Sequence, residues 1–431
     1  MWKKEADGRS SHIWKLKPGQ GTRRVISACL GCALILGAFA GVSRLLPKQE
    51  SILIDENTVF TTADVPMKDE RKTGLQIAAK GAVLMDASTG KVLFEQDSHK
   101  ELPPASVTKV MTMLLVMEAA DAGKITLDDR VTISERAASM GGSQMYMEAG
   151  ETHTVAELMK GVAMASANDG CVALAEYVAG SEEIFVERMN QRAQELGMRD
   201  THFVNTNGLP VADHYSSAYD IALMSMKLCE FEETRQWFNA WQDTITVGLP
   251  GKEKEFGLTN TNKLIRAYDG CDGIKTGFTS EAGYCLSASA TRGDTRLIAV
   301  ALGSETSKIR NGEVAKMLDY GFANYETVVL AEKGQIMGKV QIDRGEPASV
   351  NGVTEQRITA LVGKGEKDSV RKKVTIDDTV PLPLKKGQKI GSISIWQGKE
   401  KIAEYPIIAE SAVEKASFRT LVSRLAKAAF S

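Results

Sequence analysis

The spacing of hydrophobic positions changes several times along the chain, which predicts blocks of strands and helices. Residues 78–97 contain two β-rich runs around a Ser-Thr-Gly turn and predict a hairpin. Helical patterns dominate from 106 to about 240, strand patterns return over 283–303, and an amphipathic helix follows over 306–322. We therefore predict an α+β fold, in which both ends of the domain build one antiparallel sheet around an inserted helical cluster.

The hydrophobic pattern is different beyond residue 328. Short alternating segments, such as "KVQID" and "KIGSISIWQG", are separated by glycines and charged turns as far as residue 409. This pattern is typical of a small all-β domain. It contains no recognisable catalytic constellation.

The N-terminal region, 1–42, predicts export. Seven lysines and arginines precede the uncharged run "VISACLGCALILGAFAGV", residues 25–42. The "AFA" at 38–40 matches a cleavage site, while about 18 uncharged residues also suffice for a retained membrane anchor. Both outcomes stay open, and either places the rest of the chain outside the cytoplasm, behind a polar linker over 43–74.

The C-terminal segment, 410–431, predicts a basic amphipathic helix. Its apolar residues fall on one helical face and its basic residues around the other. One interpretation is a helix packed on its own β domain. We favour a helix on the membrane surface, because the segment is terminal, cationic and part of an exported chain.

Composition excludes several classes of function. The chain is 43% hydrophobic and 25% charged, with a formal net charge of -2, so it offers no basic field for nucleic acid and is not disordered. Four cysteines lie beyond the leader: Cys171, Cys229, Cys271 and Cys285. Their spacing matches no zinc pattern, so we expect no metal; buried thiols are the simplest expectation, with a Cys271–Cys285 bridge as an alternative.

Three short motifs carry candidate chemistry. Ser106 and Lys109 form S-x-x-K at the predicted start of a buried helix, which places both side chains on one face. Ser166 and Asn168 form S-x-N between two helical runs, and residues 275–277 form K-T-G at the start of a predicted strand. Taken singly, these residues also fit structural roles, as helix caps, surface charges or turn residues.

Each motif occurs a second time, so order along the chain becomes informative. The second copies are K-T-G at 72–74, S-x-N at 349–351 and S-x-x-K at 369–372. They are scattered over the linker and the β domain in the opposite order. Only the set beginning at Ser106 falls in one predicted domain and could build one site.

In this order, the three motifs resemble the signature of penicillin-recognising serine enzymes. "SVTKVMT", "GGSQMYMEAGE", "ASANDGCVALAE", "THFVNTNGLP" and "KTGFTSEAGYCLSASA" further resemble the D-alanyl-D-alanine carboxypeptidases of peptidase family S11, the low-molecular-weight penicillin-binding proteins. The resemblance covers roughly residues 75 to 431. It implies a leader and anchor at 1–42, a linker at 43–74, a catalytic domain at 75–327, a β domain at 328–409 and a membrane-associating helix at 410–431.

The resemblance implies a role for each motif residue. Ser106 would be the nucleophile, at a helix N-terminus that favours developing negative charge. Lys109 would take its proton, and burial beside the second cation, Lys275, would lower the pKa of the Lys109 ammonium. Ser166 would relay a proton to the leaving group, and Asn168 would hold the substrate amide.

Further residues would recognise the substrate. By resemblance, Thr276 and the lysine before it receive the terminal carboxylate, and the strand after Gly277 lies along the peptide. The backbone N–H groups of Ser106 and Phe278 would form the oxyanion hole. Arg310 stands where the resemblance places a second carboxylate-binding arginine; a solvent-exposed helix arginine is the alternative.

The implied reaction removes the terminal D-alanine from a peptidoglycan stem peptide ending in D-Ala-D-Ala, through an acyl-enzyme, on the outer face of the bacterial membrane. β-Lactams would acylate the same serine, and no cofactor is expected. A class A β-lactamase would carry E-x-x-L-N after S-x-N, and none occurs between Asn168 and Lys275. A transpeptidase, an endopeptidase or a non-catalytic wall-binding protein remain as alternatives.

Overall fold

A computed structural model of the chain describes residues 74–377 and 379–429, which fall within one compact unit. The predicted leader and nearly all of the predicted linker lie outside the described residues. The strands are β1 Gly81–Asp86, β2 Val92–Gln96, β3 Arg130–Thr132, β4 Thr152–Thr154, β5 Gln242–Val247, β6 Lys254–Thr259, β7 Cys271–Thr279, β8 Gly283–Arg292, β9 Thr295–Ser304, β10 Tyr325–Ala331, β11 Ile336–Gln341, β12 Gly345–Glu346, β13 Ser349–Thr354, β14 Ile358–Gly363, β15 Val370–Ile376, β16 Lys389–Gln397, β17 Glu400–Ala409 and β18 Glu414–Lys415.

The helices account for most of the segment between β2 and β7. They are α1 Lys109–Asp121, α2 Glu135–Ala138, α3 Val155–Met164, α4 Asn168–Ala179, α5 Glu182–Glu195, α6 Ala218–Leu228, α7 Arg235–Asn239, α8 Leu264–Ala267, α9 Ser307–Asn324 and α10 Phe418–Ala429. A 3₁₀ turn, Ala105–Thr108, leads directly into α1.

The central sheet confirms the predicted α+β fold. Its five strands are antiparallel in the order β2-β1-β9-β8-β7, so both ends of the domain contribute to it. Val83 and Met85 of β1 pack into the helical cluster, whereas Ala82 and Leu84 pack on the other face, in the cluster that includes Met317 of α9. Because both faces of the sheet are covered, β1 is continuously hydrophobic rather than alternating.

The predicted all-β part contains a second five-stranded antiparallel sheet, in the order β11-β13-β17-β16-β15. Strand β10 begins at Tyr325 and pairs with β14, so it crosses the predicted boundary at 327/328. The division of the chain at that point stays a prediction.

The C-terminal helix is shorter than the predicted 410–431. It begins at Phe418, where the hydroxyl of Ser417 accepts a hydrogen bond from the N–H of Thr420. The residues before it form the short strand β18, which pairs with β12. Across residues 74–377 and 379–429, no helix combines the length and the apolar character needed to cross a bilayer.

Two other expectations need correction. The strand that carries K-T-G begins at Cys271, four residues before Lys275, because Cys271 already pairs with Ala290. The Cys271–Cys285 bridge is absent: all four described cysteines are free and buried. Cys285 pairs with Gly277, so the two thiols are separated by about six residues of strand, or roughly 20 Å, far beyond disulfide reach.

Candidate active site

The S-x-x-K serine and lysine meet at the junction between the 3₁₀ turn and α1. The Lys109 Nζ donates a hydrogen bond to the Ser106 Oγ at 2.9 Å and another to the backbone oxygen of Asn207 at 2.6 Å. The Lys109 side chain is fully buried. The lysine therefore lies where it can take the serine proton, with its own orientation fixed by a second acceptor.

Burial determines the proton affinity of this lysine. Removal from water lowers the pKa of Lys109 from its ordinary value to about 8, against smaller opposing effects from Cys171 and Asp169. About a tenth of Lys109 is then neutral at pH 7, and the neutral fraction rises as pH approaches about 8. A neutral amine beside a serine hydroxyl is the combination that general-base catalysis requires.

The second lysine lies in the same buried region. Lys275 is almost completely buried on β7, and its Nζ donates to the backbone oxygen of Thr276 at 3.0 Å. Burial, followed by the charge of Lys109, lowers the pKa of Lys275 well below its ordinary value. The electrostatic effect of one lysine on the other is consistent with a single site formed by the first and third motifs.

A close approach of backbone explains the glycine of K-T-G. A Cβ atom on Gly277 would lie 2.8 Å from the oxygen of Pro104 and 3.1 Å from the nitrogen of Ser106. Only glycine lets β7 lie this close to the turn that carries Ser106. The next residue, Phe278, is 53% exposed and its ring packs on Tyr284, with 4.3 Å between centroids.

The S-x-N residues occupy the link between α3 and α4. Ser166 is buried and has a positive φ of 62°, an uncommon backbone conformation for serine. The Asn168 Nδ2 donates to the oxygen of Gly141 at 2.6 Å, and its backbone N–H donates to the oxygen of Ser143 at 2.7 Å. These bonds attach the start of α4 to the loop over 141–150.

Two residues without an assigned role hold that loop and the start of α1. The buried carboxylate of Asp169 accepts the N–H of Met145 at 2.9 Å, which fixes the loop beside S-x-N. The buried His214 contacts the hydroxyl of Thr108 through Nε2 at 2.8 Å, and its Nδ1 accepts the N–H of Val204 at 3.0 Å. His214 therefore joins the S-x-x-K turn to the segment that leads to the Asn207 oxygen.

The loop that presents the Asn207 oxygen was also not predicted as functional. The side-chain oxygen of Asn205 accepts the N–H groups of Asn207 and Gly208, at 3.2 and 2.7 Å. Gly208 has a positive φ of 82°, and a Cβ there would lie 1.9 Å from the oxygen of Ala105. The Asn-x-Asn-Gly sequence is a turn signal that could have identified this loop, although not its contact with Lys109.

Arg310 is buried, contrary to the alternative of a surface arginine. Only 5% of it is exposed, and its Nη1 donates to the oxygen of Cys285 at 3.2 Å while Nε and Nη2 contact Asn311. Burial lowers the pKa of Arg310 to about 10. Its charge also contributes to the lowered pKa of Lys275. Its binding of a carboxylate stays a prediction.

This arrangement combines a serine, a buried lysine that is partly neutral, and a second buried cation. Such a site is suited to attack on a carbonyl next to an anionic group. Among residues 74–377 and 379–429, no group of three or more His, Cys, Asp or Glu side chains could hold a metal ion.

Comparison with known proteins supports the same chemistry. The family profile described as "D-alanyl-D-alanine carboxypeptidase" matches residues 66–306, and that of "Penicillin-binding protein 5, C-terminal domain" matches residues 325–415. The chain is 45% identical over 368 residues to the D-alanyl-D-alanine carboxypeptidase DacF of Bacillus subtilis (strain 168), covering 85% of this chain and 94% of the relative.

Solved structures show similar folds. Penicillin-binding protein 5 from Haemophilus influenzae matches with a TM-score of 0.63 and 34% identity, over 79% of this chain and 99% of that chain. A mutant of the Streptomyces K15 DD-transpeptidase matches with a TM-score of 0.55 and 29% identity, over 58% of this chain and 99% of that chain.

Proposed function

The chain belongs to the D-alanyl-D-alanine carboxypeptidase family, peptidase family S11, and on that premise we propose that it removes the terminal D-alanine from peptidoglycan stem peptides through an acyl-enzyme on Ser106. The observation that carries this proposal is the 2.9 Å hydrogen bond from the buried Lys109 amine to the Ser106 hydroxyl. A serine in this environment can be deprotonated as it attacks.

The first half of the reaction forms the acyl-enzyme. Neutral Lys109 accepts the hydroxyl proton as the Ser106 Oγ bonds to the carbonyl carbon between the last two D-alanines. The N–H groups of Ser106 and Phe278 stabilise the oxyanion. When the C–N bond breaks, the departing D-alanine takes a proton that Lys109 returns through Ser166.

The second half releases the shortened peptide. Water adds to the acyl carbon and gives up a proton to the site base, and the Ser106 ester bond breaks as the serine oxygen is reprotonated. No external oxidant or cofactor enters either half. A β-lactam opens its ring in the first half and is held as a stable ester, because its leaving group stays attached.

The positively charged side of the site recognises the substrate. Lys275 and Thr276 bind the terminal carboxylate, with Arg310 contributing positive charge from behind β8. Asn168 holds the peptide amide, and Gly277 lets the strand and the substrate backbone come close to the nucleophile. A free carboxylate on the last residue is therefore the feature that directs the enzyme to chain ends.

The family acts on the cell wall, so the chain works outside the cytoplasm. Attachment to the membrane surface through α10 is supported by Phe418, Val422 and Leu425, which are 83%, 47% and 67% exposed. These side chains leave an apolar face of α10 uncovered, which argues against the alternative of a helix packed on its own domain through this face. The Arg424 Nη1 instead donates to the backbone oxygens of Asp343 and Gly345, which orients the helix.

Mass spectrometry tests the activity directly. The purified full-length chain is incubated with penicillin and, separately, with a peptide ending in D-Ala-D-Ala, in wild-type form and as Ser106→Ala. We expect a penicilloyl adduct on Ser106 and loss of one D-alanine from the peptide, both absent from the variant. Absence of both in the wild type would overturn the proposal and favour a wall-binding protein.

The same experiment separates related activities. Adding an amine acceptor detects transpeptidation as a peptide of increased mass, and a crosslinked dimeric peptide detects endopeptidase cleavage. We expect release of D-alanine to dominate. Rapid conversion of excess penicillin to its hydrolysed acid would indicate a β-lactamase instead.

A further inference from the structure

A loop between β6 and α8, residues 260–262, places an additional hydroxyl beside K-T-G. The Thr276 Oγ1 donates a hydrogen bond to the Thr261 Oγ1 at 2.7 Å. Thr276 is buried, whereas Thr261 is exposed. The hydrogen bond therefore joins a buried residue of K-T-G to a residue that is exposed to solvent.

Two buried asparagines hold this loop in one conformation. The Asn260 Nδ2 donates to the backbone oxygens of Phe238 and Ala240, each at 3.0 Å, and its Oδ1 accepts the N–H of Asn262 at 2.9 Å. The Asn262 Nδ2 donates to the oxygen of Gly273 on β7 at 2.9 Å. The loop is thus fixed to the strand that carries K-T-G.

The loop is also fixed to the S-x-N segment. The backbone N–H of Thr261 donates to the oxygen of Met164 at 3.2 Å, two residues before Ser166. The Thr261 backbone therefore bridges the second and third motifs. These bonds give the Thr261 side chain the rigid support that a binding residue needs.

The hydrogen-bonding capacity of the two hydroxyl groups indicates what Thr261 can bind. A hydroxyl has one donor and can accept from others. The Thr276 hydroxyl uses its proton on Thr261, and among the described residues the Thr261 hydroxyl has no acceptor of its own. This exposed hydroxyl can therefore donate its proton to a ligand that displaces water, and the bond it receives from Thr276 polarises it.

We propose that the Thr261 hydroxyl donates a hydrogen bond to the terminal carboxylate of the substrate, as a specificity-determining residue beside Lys275, and that the Thr276 hydroxyl acts on the carboxylate through it. This inference rests on the proposed function. A carboxylate can accept several hydrogen bonds, whereas a C-terminal amide presents a donor in place of one of its oxygens. Thr261 therefore favours free chain ends over blocked ones.

The test uses the full-length chain and two acylated L-Lys-D-Ala-D-Ala peptides, one with a free carboxylate and one with a C-terminal amide. Thr261→Val removes the hydroxyl at nearly constant shape, and Thr261→Ser restores it. Thr259→Val, at an exposed threonine of β6, is the matched control. Release of D-alanine or D-alaninamide is followed by mass spectrometry.

For Thr261→Val, we expect kcat/KM on the free acid to fall about 10- to 100-fold, the range of a hydrogen bond to a charged group. For the same variant, kcat/KM on the amide peptide should change by no more than about twofold. Thr261→Ser should recover most of the activity on the free acid, and Thr259→Val should match wild type on both peptides. An equal fall on both peptides, or no fall on the acid, overturns the inference. Failure of the proposed function is distinct, because wild type would then release nothing from either peptide.

Discussion

We predict that Lys109 sets the pH range in which the site is active. Because burial lowers the pKa of Lys109 to about 8, the neutral form needed to accept the Ser106 proton increases as pH rises through that value. We expect the second-order rate constant for acylation by penicillin to rise with pH and to reach half its maximum near pH 8. Stopped-flow acylation across this range measures this rise.

Substitution of Lys109 separates its role from its contribution to packing. Lys109→Met keeps a long unbranched side chain and removes the proposed base, and general-base catalysis typically contributes about 10²- to 10⁴-fold. We expect acylation to slow by that factor and its rising limb to disappear. Lys124→Met, at an exposed lysine, should leave the profile unchanged. A rising limb that persists near pH 8 in Lys109→Met would assign it to another group.

His214 makes stability depend on pH in the acidic range. Burial, followed by the charges of His202 and Lys109, lowers the pKa of His214 from 6.5 to about 4. Neutral His214 can accept the N–H of Val204 at Nδ1, whereas the unfolded chain gains a proton below about pH 6.5. The contribution of His214 to the free energy of unfolding is therefore complete above about pH 6.5. It is lost as pH falls towards 4, by up to about 3 kcal/mol.

Denaturant unfolding of wild type and His214→Gln from pH 7 to pH 4 checks this. As pH falls, the free energy of unfolding of wild type should decrease by up to about 3 kcal/mol relative to that of His214→Gln. Burial also raises the pKa values of Asp86, Asp169 and Asp220, which increases the free energy of unfolding of both proteins as pH falls. Only the difference between the two proteins therefore isolates the effect of His214. A difference that does not depend on pH would show that His214 is not held neutral.

At the scale of elements, the position of β7 against the turn that carries Ser106 depends on Gly277. Gly277→Ala places a methyl group against Pro104 and Ser106, so the strand must move by several tenths of an ångström. A shift of this order at a reacting centre costs up to about 100-fold. We expect penicillin acylation to slow by about 10- to 100-fold, with a smaller effect on stability.

Gly312→Ala is the matched control for this prediction. Gly312 is exposed within α9 and a Cβ there meets nothing within 4 Å, so alanine should stabilise the helix by about 0.5–1 kcal/mol. Its acylation rate should equal that of wild type. Equal acylation rates for both variants would mean that β7 does not need its close approach.

The elements also show what could be predicted from the sequence. The Ser106–Lys109 spacing on a helix turn and the β1–β2 hairpin follow from local patterns, and both predictions agree with the structure. Hairpin β5–β6 was not predicted, because most of its residues are exposed and give little hydrophobic signal. The Asn207 oxygen and the Thr261 hydroxyl reach the site through loops, and contacts between residues so distant in the chain leave no local pattern.

At the scale of the whole molecule, the two predicted domains share a core. Leu361 of β14 is buried in the same cluster as Phe322 and Leu297, which belong to the catalytic part. Tyr325, at the start of β10, lies in this cluster too. The exposed ion pair of Arg357 with Asp294 adds little to this contact. Buried apolar contact, more than surface charge, therefore couples the two parts.

This shared core predicts that a destabilising substitution in the β part also lowers the thermal stability of the active site. Leu361→Ala removes a buried side chain from the shared cluster, which typically costs about 2–5 kcal/mol. We expect the temperature at which penicillin binding is lost to fall by several degrees. Ile393→Ala, at a fully buried residue of β16 that packs only within the β part, is the matched control. It should lower the melting temperature of the β part with less effect on penicillin binding. If both variants keep the wild-type temperature for loss of penicillin binding, the parts unfold independently and the shared cluster does not couple them.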